Sequence, residues 1–291
     1  MLPTTPFTVG SRPPAADARR KRHARADCQA RGMTQRTDTV TSADGTRIVF
    51  HTRGEGPPLV IVHGALVTTG NYDDLAELLA PDYRVVVIER RDYGPSGNGP
   101  RPARFSTQAT DLAAVLATLG EPAFVFGHSA GGLVTLHAMH RDPSMVRRLA
   151  LYEPPVVLAG PPLAPTLATI RTLVADDRPA DAIVEFFTAI MDSVIPDEHL
   201  RPLADGLAFR APGLVADLEC LTAMDPDISP WSAITLPTLL LSGELTDSYG
   251  TKSVELLQST LPRAHSLVLP GQYHNPEDPA PVAAALRECF R

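Results

Sequence analysis

The chain has 291 residues, a net charge of −7 and a hydrophobic content of 44%. This length suits one large domain with an insertion, or two small domains. No apolar run approaches the roughly 20 residues that a membrane-spanning helix needs, and the acidic balance argues against nucleic acid or polyphosphate as a substrate.

The first 32 residues differ in charge from the rest of the chain. They hold seven Arg or Lys and two Asp, a net of +5, so residues 33–291 carry −12. No apolar segment follows the basic run 19–25, which is therefore not a secretory signal. We expect residues 1–35 to form a disordered basic tail and residues 1–32 to be dispensable for activity.

The cysteines suggest a reducing environment. Cys28, Cys220 and Cys289 are widely spaced and form neither a metal-ligand spacing nor a disulfide framework. We therefore expect a cytoplasmic protein with three unreactive thiols. The sequence shows no metal-ligand cluster and no Gly-rich phosphate loop, so we expect neither a metal nor a cofactor.

Strand and helix patterns alternate along the first half of the chain. A hairpin with an Asp-Gly turn is predicted over 38–51. The apolar runs that follow it are continuous, which is typical of parallel strands covered on both faces. Further strands are predicted at 59–62, 84–88, 123–126 and 146–152, with helices between them at 72–79, 106–119 and 129–141.

The alternation stops at Glu153. Helix-like segments separated by prolines follow, at 163–175, 179–193, 196–209 and 212–221. Strands at 236–243 and 264–269, with helices at 251–260 and 280–290, then complete the pattern. This order predicts an α/β fold with a doubly wound, mostly parallel sheet. Its core is expected over 36–153 and 233–291, with an inserted helical cap over 154–232.

The segment Gly127-His128-Ser129-Ala130-Gly131 connects a predicted strand to a predicted helix. G-x-S-x-G in this context holds a serine on a sharp, strained turn with its Oγ exposed above the sheet. The two glycines leave room for the strand and the helix to approach. An ordinary Gly/Ser turn is the alternative, but the flanking pattern favours Ser129 as a nucleophile.

A nucleophilic serine needs a base, and the base needs a third group that holds its tautomer. In a doubly wound sheet these partners lie in loops at the carboxyl ends of strands. Such loops supply Asp247 and His274, and the order Ser129, Asp247, His274 fits this fold. Glu153 also follows a strand and is the alternative acid, while Glu244 is expected to be structural.

These motifs resemble those of α/β-hydrolase-fold proteins with a helical cap. The resemblance covers about residues 38–291. It rests on His63-Gly64 after the third strand, the loop 90–97 after the fourth, the G-x-S-x-G segment, and the loops at 243–247 and 271–274.

The resemblance implies a role for each residue. Ser129 is the nucleophile, His274 takes and returns its proton, and Asp247 orients His274. The backbone N–H groups of Ala65 and Ala130 would form the oxyanion hole. His63 is expected to fix its own loop by hydrogen bonding.

The implied activity is a serine hydrolase that acts through an acyl-enzyme on a small carboxylic ester, lactone or thioester. Serine at the elbow argues against dehalogenases and epoxide hydrolases of this fold, which use aspartate there. Four alternatives stay open: a carbon–carbon bond hydrolase, a cofactor-free haloperoxidase or perhydrolase, a cyclase or acyltransferase, and a small-molecule binder.

A small-molecule substrate is the expected partner, and its binding residues are predicted from position. They are His128 and, in the cap, Phe186, Phe187 and Met191. Phe209, Leu214 and Met224 are further candidates, with packing inside the cap as the alternative. Arg90, Arg91 and Arg210 are candidates for binding a carboxylate, with solvation at the surface as the alternative.

Overall fold

A computed structural model of the chain describes residues 35–193 and 195–291. The tail predicted over 1–35 lies outside these residues, apart from Gln35, and so does Cys28. The described residues form one eight-stranded sheet with nine α-helices. No helix within them is long and apolar enough to cross a membrane.

The strands follow the predicted positions within a few residues. They are β1 (Arg36–Thr41), β2 (Arg47–Arg53), β3 (Pro58–Val62), β4 (Arg84–Glu89), β5 (Ala123–His128), β6 (Val146–Tyr152), β7 (Thr238–Gly243) and β8 (Ala264–Leu269).

The helices also lie close to their predictions. They are α1 (Asp73–Leu79), α2 (Phe105–Thr118), α3 (Ala130–Arg141), α4 (Ala164–Ala175), α5 (Pro179–Ile190), α6 (Asp197–Leu207), α7 (Ala211–Thr222), α8 (Ser248–Thr260) and α9 (Pro279–Cys289). Short 3-10 turns occupy Thr69–Tyr72, Val156–Leu158, Pro161–Leu163, Ala208–Arg210 and Ser229–Ala233.

The strand order in the sheet is β1-β2-β4-β3-β5-β6-β7-β8. β1 pairs antiparallel with β2, and β2 pairs antiparallel with β4. All pairings from β4 and β3 through to β8 are parallel. The carboxyl ends of β3 to β8 therefore share one edge, where ligands bind in open α/β sheets. The predicted doubly wound, mostly parallel α/β fold is confirmed.

Continuous apolar strands arise because both faces of the sheet are covered. In β3, Leu59 and Ile61 join a core that includes residues of α1 and α9. Val60 and Val62 point the other way, into a core that includes residues of α2, α3 and α8. Every residue of β3 is buried, which explains why its sequence shows no polar alternation.

The cap segment, residues 154–232, lies between β6 and β7 and contains α4 to α7. It contacts the loops that follow β3 and β4. Glu219 on α7 accepts a hydrogen bond from the Ala103 amide at 2.7 Å, and Asp217 forms an ion pair with Arg90. The inserted helices therefore cover part of the edge where the strands end.

The two described cysteines are buried free thiols. Burial raises the pKa of Cys289 to about 11 and raises that of Cys220 further. Both thiols therefore stay protonated near neutral pH, which makes them poor nucleophiles.

Candidate active site

Ser129 occupies a strained turn between β5 and α3. Its backbone has φ 51° and ψ −124°, a conformation that side chains rarely adopt. A Cβ at Gly127 would lie 2.7 Å from Thr135 Oγ1, and one at Gly131 would lie 2.1 Å from the Val62 carbonyl oxygen. Both flanking positions therefore require glycine, as the G-x-S-x-G pattern predicts.

His274 lies in the loop between β8 and α9, with its ring against the serine. The distance from its Nε2 to Ser129 Oγ is 3.0 Å, which is a hydrogen bond. Nε2 can therefore accept the hydroxyl proton, provided that the ring carries its own proton on Nδ1.

Glu153, directly after β6, supplies the group that holds that tautomer. Its Oε2 lies 2.6 Å from His274 Nδ1 and also accepts from Thr246 Oγ1 at 2.7 Å. Its Oε1 accepts from the Gly243 amide at 2.8 Å. The side chain is fully buried, so these three hydrogen bonds are what compensates its charge.

The structure corrects the predicted placement of Asp247. This residue is the N-cap of α8, and its Oδ1 accepts from the Asp192 backbone amide at 3.0 Å. Within the described ranges no hydrogen bond or ion pair joins Asp247 to His274. The reason is geometric, because Glu153 fills the space beside Nδ1 and Asp247 points toward the cap segment.

A buried hydrogen-bonded chain links the oxyanion loop (His63–Leu66) to the loop of His274. The Gly64 amide donates to Tyr72 Oη at 3.3 Å, and that hydroxyl donates to His128 Nδ1 at 2.6 Å. His128 Nε2 donates to the His274 carbonyl at 2.9 Å. Burial lowers the pKa of His128 to about 3, so the ring stays neutral near pH 7.

His128 was predicted to bind substrate, and its hydrogen bonds indicate another role. The residue is 3% exposed, and both ring nitrogens are engaged by protein groups. No polar atom of its ring is left for a substrate. It connects two loops of the site instead. The G-x-S-x-G pattern does not predict this role.

The oxyanion loop is held from several sides. His63 Nδ1 donates to the Gly64 carbonyl at 2.8 Å and Nε2 accepts from the Arg90 amide at 3.0 Å, as expected for a residue that fixes its own loop. Burial, reinforced by Arg90, holds the pKa of His63 well below its usual value. The Leu66 amide donates to Tyr93 Oη at 3.2 Å.

The amide of Ala65 differs from those of Gly64 and Leu66, which donate to Tyr72 and Tyr93, while the amide of Ala130 lies in the first turn of α3, where no intrahelical acceptor exists. Neither forms a hydrogen bond with any residue that the structure describes. A Cβ added to Gly64 would lie 3.0 Å from Ser129 Cβ, so the oxyanion loop packs directly against the serine. The two amides predicted to stabilise an oxyanion are thus unengaged, one in a loop that packs against Ser129 and the other directly after Ser129 in the chain.

Arg90 ties this loop to the cap segment. Its Nη1 lies 3.3 Å from the carbonyl oxygens of both His63 and Gly64. The guanidinium also forms a buried ion pair with Asp217 on α7, and Tyr93 Oη donates to that carboxylate at 2.7 Å. Arg90 is thus a structural cation whose charge and hydrogen-bond donors are satisfied by protein groups.

The predicted pocket residues take different positions. Phe186 and Phe187 are half-buried against the core, with ring centroids 5.7 Å apart, and Met191 is half-buried at the end of α5. These three stay predictions. Leu214 and Met224 are buried within the core, whereas Phe209 is 70% exposed.

Comparisons with known proteins find hydrolases and esterases among the similar sequences. An uncharacterised hydrolase of Bacillus subtilis, YraK, is 33% identical over 113 residues, 38% of this chain and 42% of that protein. The chain thus spans less than half the length of that relative. A pimeloyl-[acyl-carrier protein] methyl ester esterase of Aeromonas hydrophila is 29% identical over 234 residues, 77% of this chain and 90% of that protein.

A solved structure of an alpha/beta hydrolase from Sphaerobacter thermophilus superposes with a TM-score of 0.77. It is 32% identical and covers 87% of this chain and 100% of its own. The model of the alpha/beta hydrolase family matches residues 59–285, from β3 into α9. The chain therefore belongs to the alpha/beta hydrolase family.

Proposed function

We propose that this protein is a serine hydrolase that cleaves a small carboxylic ester, lactone or thioester through an acyl-enzyme. The observation that carries the proposal is the chain of hydrogen bonds from Ser129 through His274 to Glu153, with distances of 3.0 and 2.6 Å. It combines a nucleophile, a base and an acid in the arrangement that acyl transfer needs.

In the first half of the reaction, Ser129 Oγ attacks the substrate carbonyl carbon while its proton moves to His274 Nε2. The imidazolium that forms is stabilised by the adjacent Glu153 carboxylate. His274 then gives the proton to the leaving alcohol or thiol. The carbon–heteroatom bond breaks, and the acyl group remains on Ser129.

In the second half, water replaces the leaving group. His274 Nε2 takes a proton from the attacking water, and the resulting tetrahedral intermediate expels Ser129 Oγ, which recovers that proton. The carboxylic acid leaves, and the enzyme returns to its starting state with all atoms accounted for. The same residues act as acid and base in both halves.

The oxyanion of each tetrahedral intermediate would accept hydrogen bonds from the amides of Ala65 and Ala130. Two features support this role, namely that both amides lack another partner and that the loop bearing Ala65 packs against the serine. Preorganised donors of this kind typically each contribute about 10²–10³ in rate. Hydrogen bonds to the Gly64 and Leu66 amides keep the loop in place.

Labelling with a fluorophosphonate probe tests the proposal most directly. We expect wild type to become labelled at Ser129, with loss of labelling in Ser129→Ala and in His274→Ala. Ser259→Ala on the outer face of α8 is the matched control and should label like wild type. A folded wild type that stays unlabelled, or is labelled at another residue, would refute the activated nucleophile.

A substrate panel distinguishes the alternatives that share this serine. Hydrolysis of simple esters and lactones supports the proposal, whereas selective cleavage of vinylogous diketones indicates a carbon–carbon bond hydrolase. Transfer to an added alcohol or amine in preference to water indicates an acyltransferase. Peracid formation from hydrogen peroxide indicates a perhydrolase. Ligand-induced stabilisation without turnover indicates a binder.

A further inference from the structure

Arg210 ends the 3-10 turn Ala208–Arg210 in the cap segment and reaches the oxyanion loop. Its Nη1 donates to the Leu66 carbonyl oxygen. Its Nε is buried, yet it forms no hydrogen bond with any residue that the structure describes. A buried donor without a partner is costly, so it suggests a missing acceptor.

The other two arginines considered for carboxylate binding are already paired with carboxylates of the protein. Arg90 pairs with Asp217, and Arg91 pairs with both Asp44 and Asp111. Arg210 forms no ion pair within the described part of the chain. Burial lowers its pKa, and Tyr93 and Glu89 offset part of that effect. The cation is therefore partly desolvated and lacks a directly bound carboxylate.

Glu89 is the acidic side chain facing this region from the core, and its contacts are directed elsewhere. Its Oε2 accepts from the Thr69 hydroxyl at 2.9 Å, and its Oε1, which lies 3.8 Å from the unprotonated His63 Nε2, forms no hydrogen bond with any described residue. Burial raises the pKa of Glu89. This carboxyl group therefore does not satisfy the arginine.

The edge of the guanidinium formed by Nε and Nη2 has the shape that a carboxylate needs, and because Nε is buried, neighbouring groups must move aside when a carboxylate binds there. Because Nη1 is directed at Leu66, the Nε–H and the Nη2–H on the opposite side form the remaining pair of parallel donors. Two parallel N–H groups bind the two oxygens of a carboxylate at once, which adds geometric specificity to the attraction between charges.

The position of this edge relates it to the reaction. Leu66 directly follows Ala65, and consecutive Cα atoms lie about 3.8 Å apart. Arg210 therefore contacts the oxyanion loop one residue beyond the amide that we assign to the oxyanion. An anionic group held there would lie beside the loop that carries Ala65.

We propose that Arg210 binds a free carboxylate of the substrate, so that the preferred substrates are monoesters of short dicarboxylic acids. This inference rests on the proposed function and narrows its substrate class. Arg210 sets specificity by binding, while Ser129, His274 and Glu153 perform the chemistry.

The first experiment compares two nearly isosteric substrates. The monoethyl esters of succinic, glutaric and adipic acids are each paired with the ester in which a carboxamide replaces the free carboxylate. We expect wild type to favour the best anionic ester in kcat/KM by about ten- to a hundredfold, the range of a charge-assisted contact. Arg210→Gln should remove most of this preference, whatever happens to the absolute rates.

Two further variants sharpen the comparison. Arg210→Lys keeps the charge without the paired donors and should retain only part of the preference. Arg178→Gln removes another cap arginine, which is exposed and pairs with Asp181, and should keep the full preference. Equal use of both esters by wild type, or an unchanged preference in Arg210→Gln, would overturn the inference.

A binding measurement distinguishes failure of this inference from failure of the proposed function. In the Ser129→Ala background, monoethyl glutarate should raise Tm more than its carboxamide analogue does, and adding Arg210→Gln should abolish the difference. Absence of fluorophosphonate labelling together with this Arg210-dependent shift would refute the hydrolase but retain the carboxylate site. Labelling without the shift would refute the site alone.

Discussion

Glu153→Gln should inactivate the enzyme almost without changing its shape. The Gly243 N–H points at Oε1 from 2.8 Å, so the carbonyl oxygen of the new amide must stay there, because an NH₂ group would face another donor. The amide NH₂ is then directed at His274 Nδ1 and donates to it. That contact favours the tautomer protonated on Nε2, which cannot accept the Ser129 proton.

The expected loss of activity follows from this reversal of the His274 tautomer. An equivalent Asp-to-Asn change in a serine protease triad preserves the geometry and lowers kcat by about 10⁴, or about 5.4 kcal/mol in activation free energy. We expect Glu153→Gln to lower kcat by about 10³–10⁴ while KM changes little, because the substrate does not contact the acid.

Asp247→Asn is the matched control. The Asp247 side chain makes no capping hydrogen bond to α8, and the side-chain oxygen of asparagine can still accept from the Asp192 amide. We expect kcat within about threefold of wild type. The assay is steady-state hydrolysis of a p-nitrophenyl ester, with Tm measured for both variants. Severe loss in Asp247→Asn alongside a mild effect of Glu153→Gln would refute the assignment of the acid.

Three further outcomes test the surrounding structure. Gly250→Ala would place a Cβ 2.7 Å from the Oε2 of the acid and should lower kcat by up to about a hundredfold in steady-state assays. The control is Gly206→Ala, at a position with open space around it, which should leave kcat unchanged and raise the free energy of unfolding by about 0.5–1 kcal/mol. Equal kcat values for the Gly250→Ala and Gly206→Ala variants would contradict the argument. Arg90→Met leaves the buried Asp217 carboxylate without its ion-pair partner and should lower the free energy of unfolding, measured by urea denaturation, by about 3–5 kcal/mol. A decrease below about 1 kcal/mol would refute this. Because burial lowers the pKa of His128 from 6.5 to about 3, the unfolded chain binds this proton first as the pH falls. Stability should therefore decline from about pH 6.5 toward pH 3, by up to about 1.4 kcal/mol per pH unit from this residue. Denaturation of His128→Asn should show a flatter profile, and an unchanged one would count against the assignment.

The fold could be predicted from the sequence because burial imposes local patterns. Apolar runs such as Leu59–Val62 mark strands covered on both faces, and helices show apolar residues at helical spacing. The nucleophile could also be predicted from the sequence, because a Cβ at either glycine around Ser129 would lie less than 3 Å from other atoms, so both positions require glycine. In each case the signal lies within a few neighbouring residues.

The acid could not be predicted in the same way. Glu153 and Asp247 both follow strands, and β6 and β7 are neighbours in the sheet, so strand order places both carboxylates near the same edge. The choice depends on a positive φ of 44° at Glu153 and on space left by Gly250. A glycine inside a helix costs about 1 kcal/mol, so Gly250 in α8 was the one local sign of a close approach.

The oxyanion loop is held both from the core and from the cap segment. From the core, Tyr72 holds the Gly64 amide and is connected through His128 to the backbone of the base. From the cap, Asp217 fixes Tyr93, which holds the Leu66 amide. The neighbours on both sides of Ala65 are thus restrained by side chains from different parts of the chain. Because Asp217 lies on α7, a displacement of that helix would move Tyr93 and, through the Leu66 amide, the loop that carries the Ala65 donor.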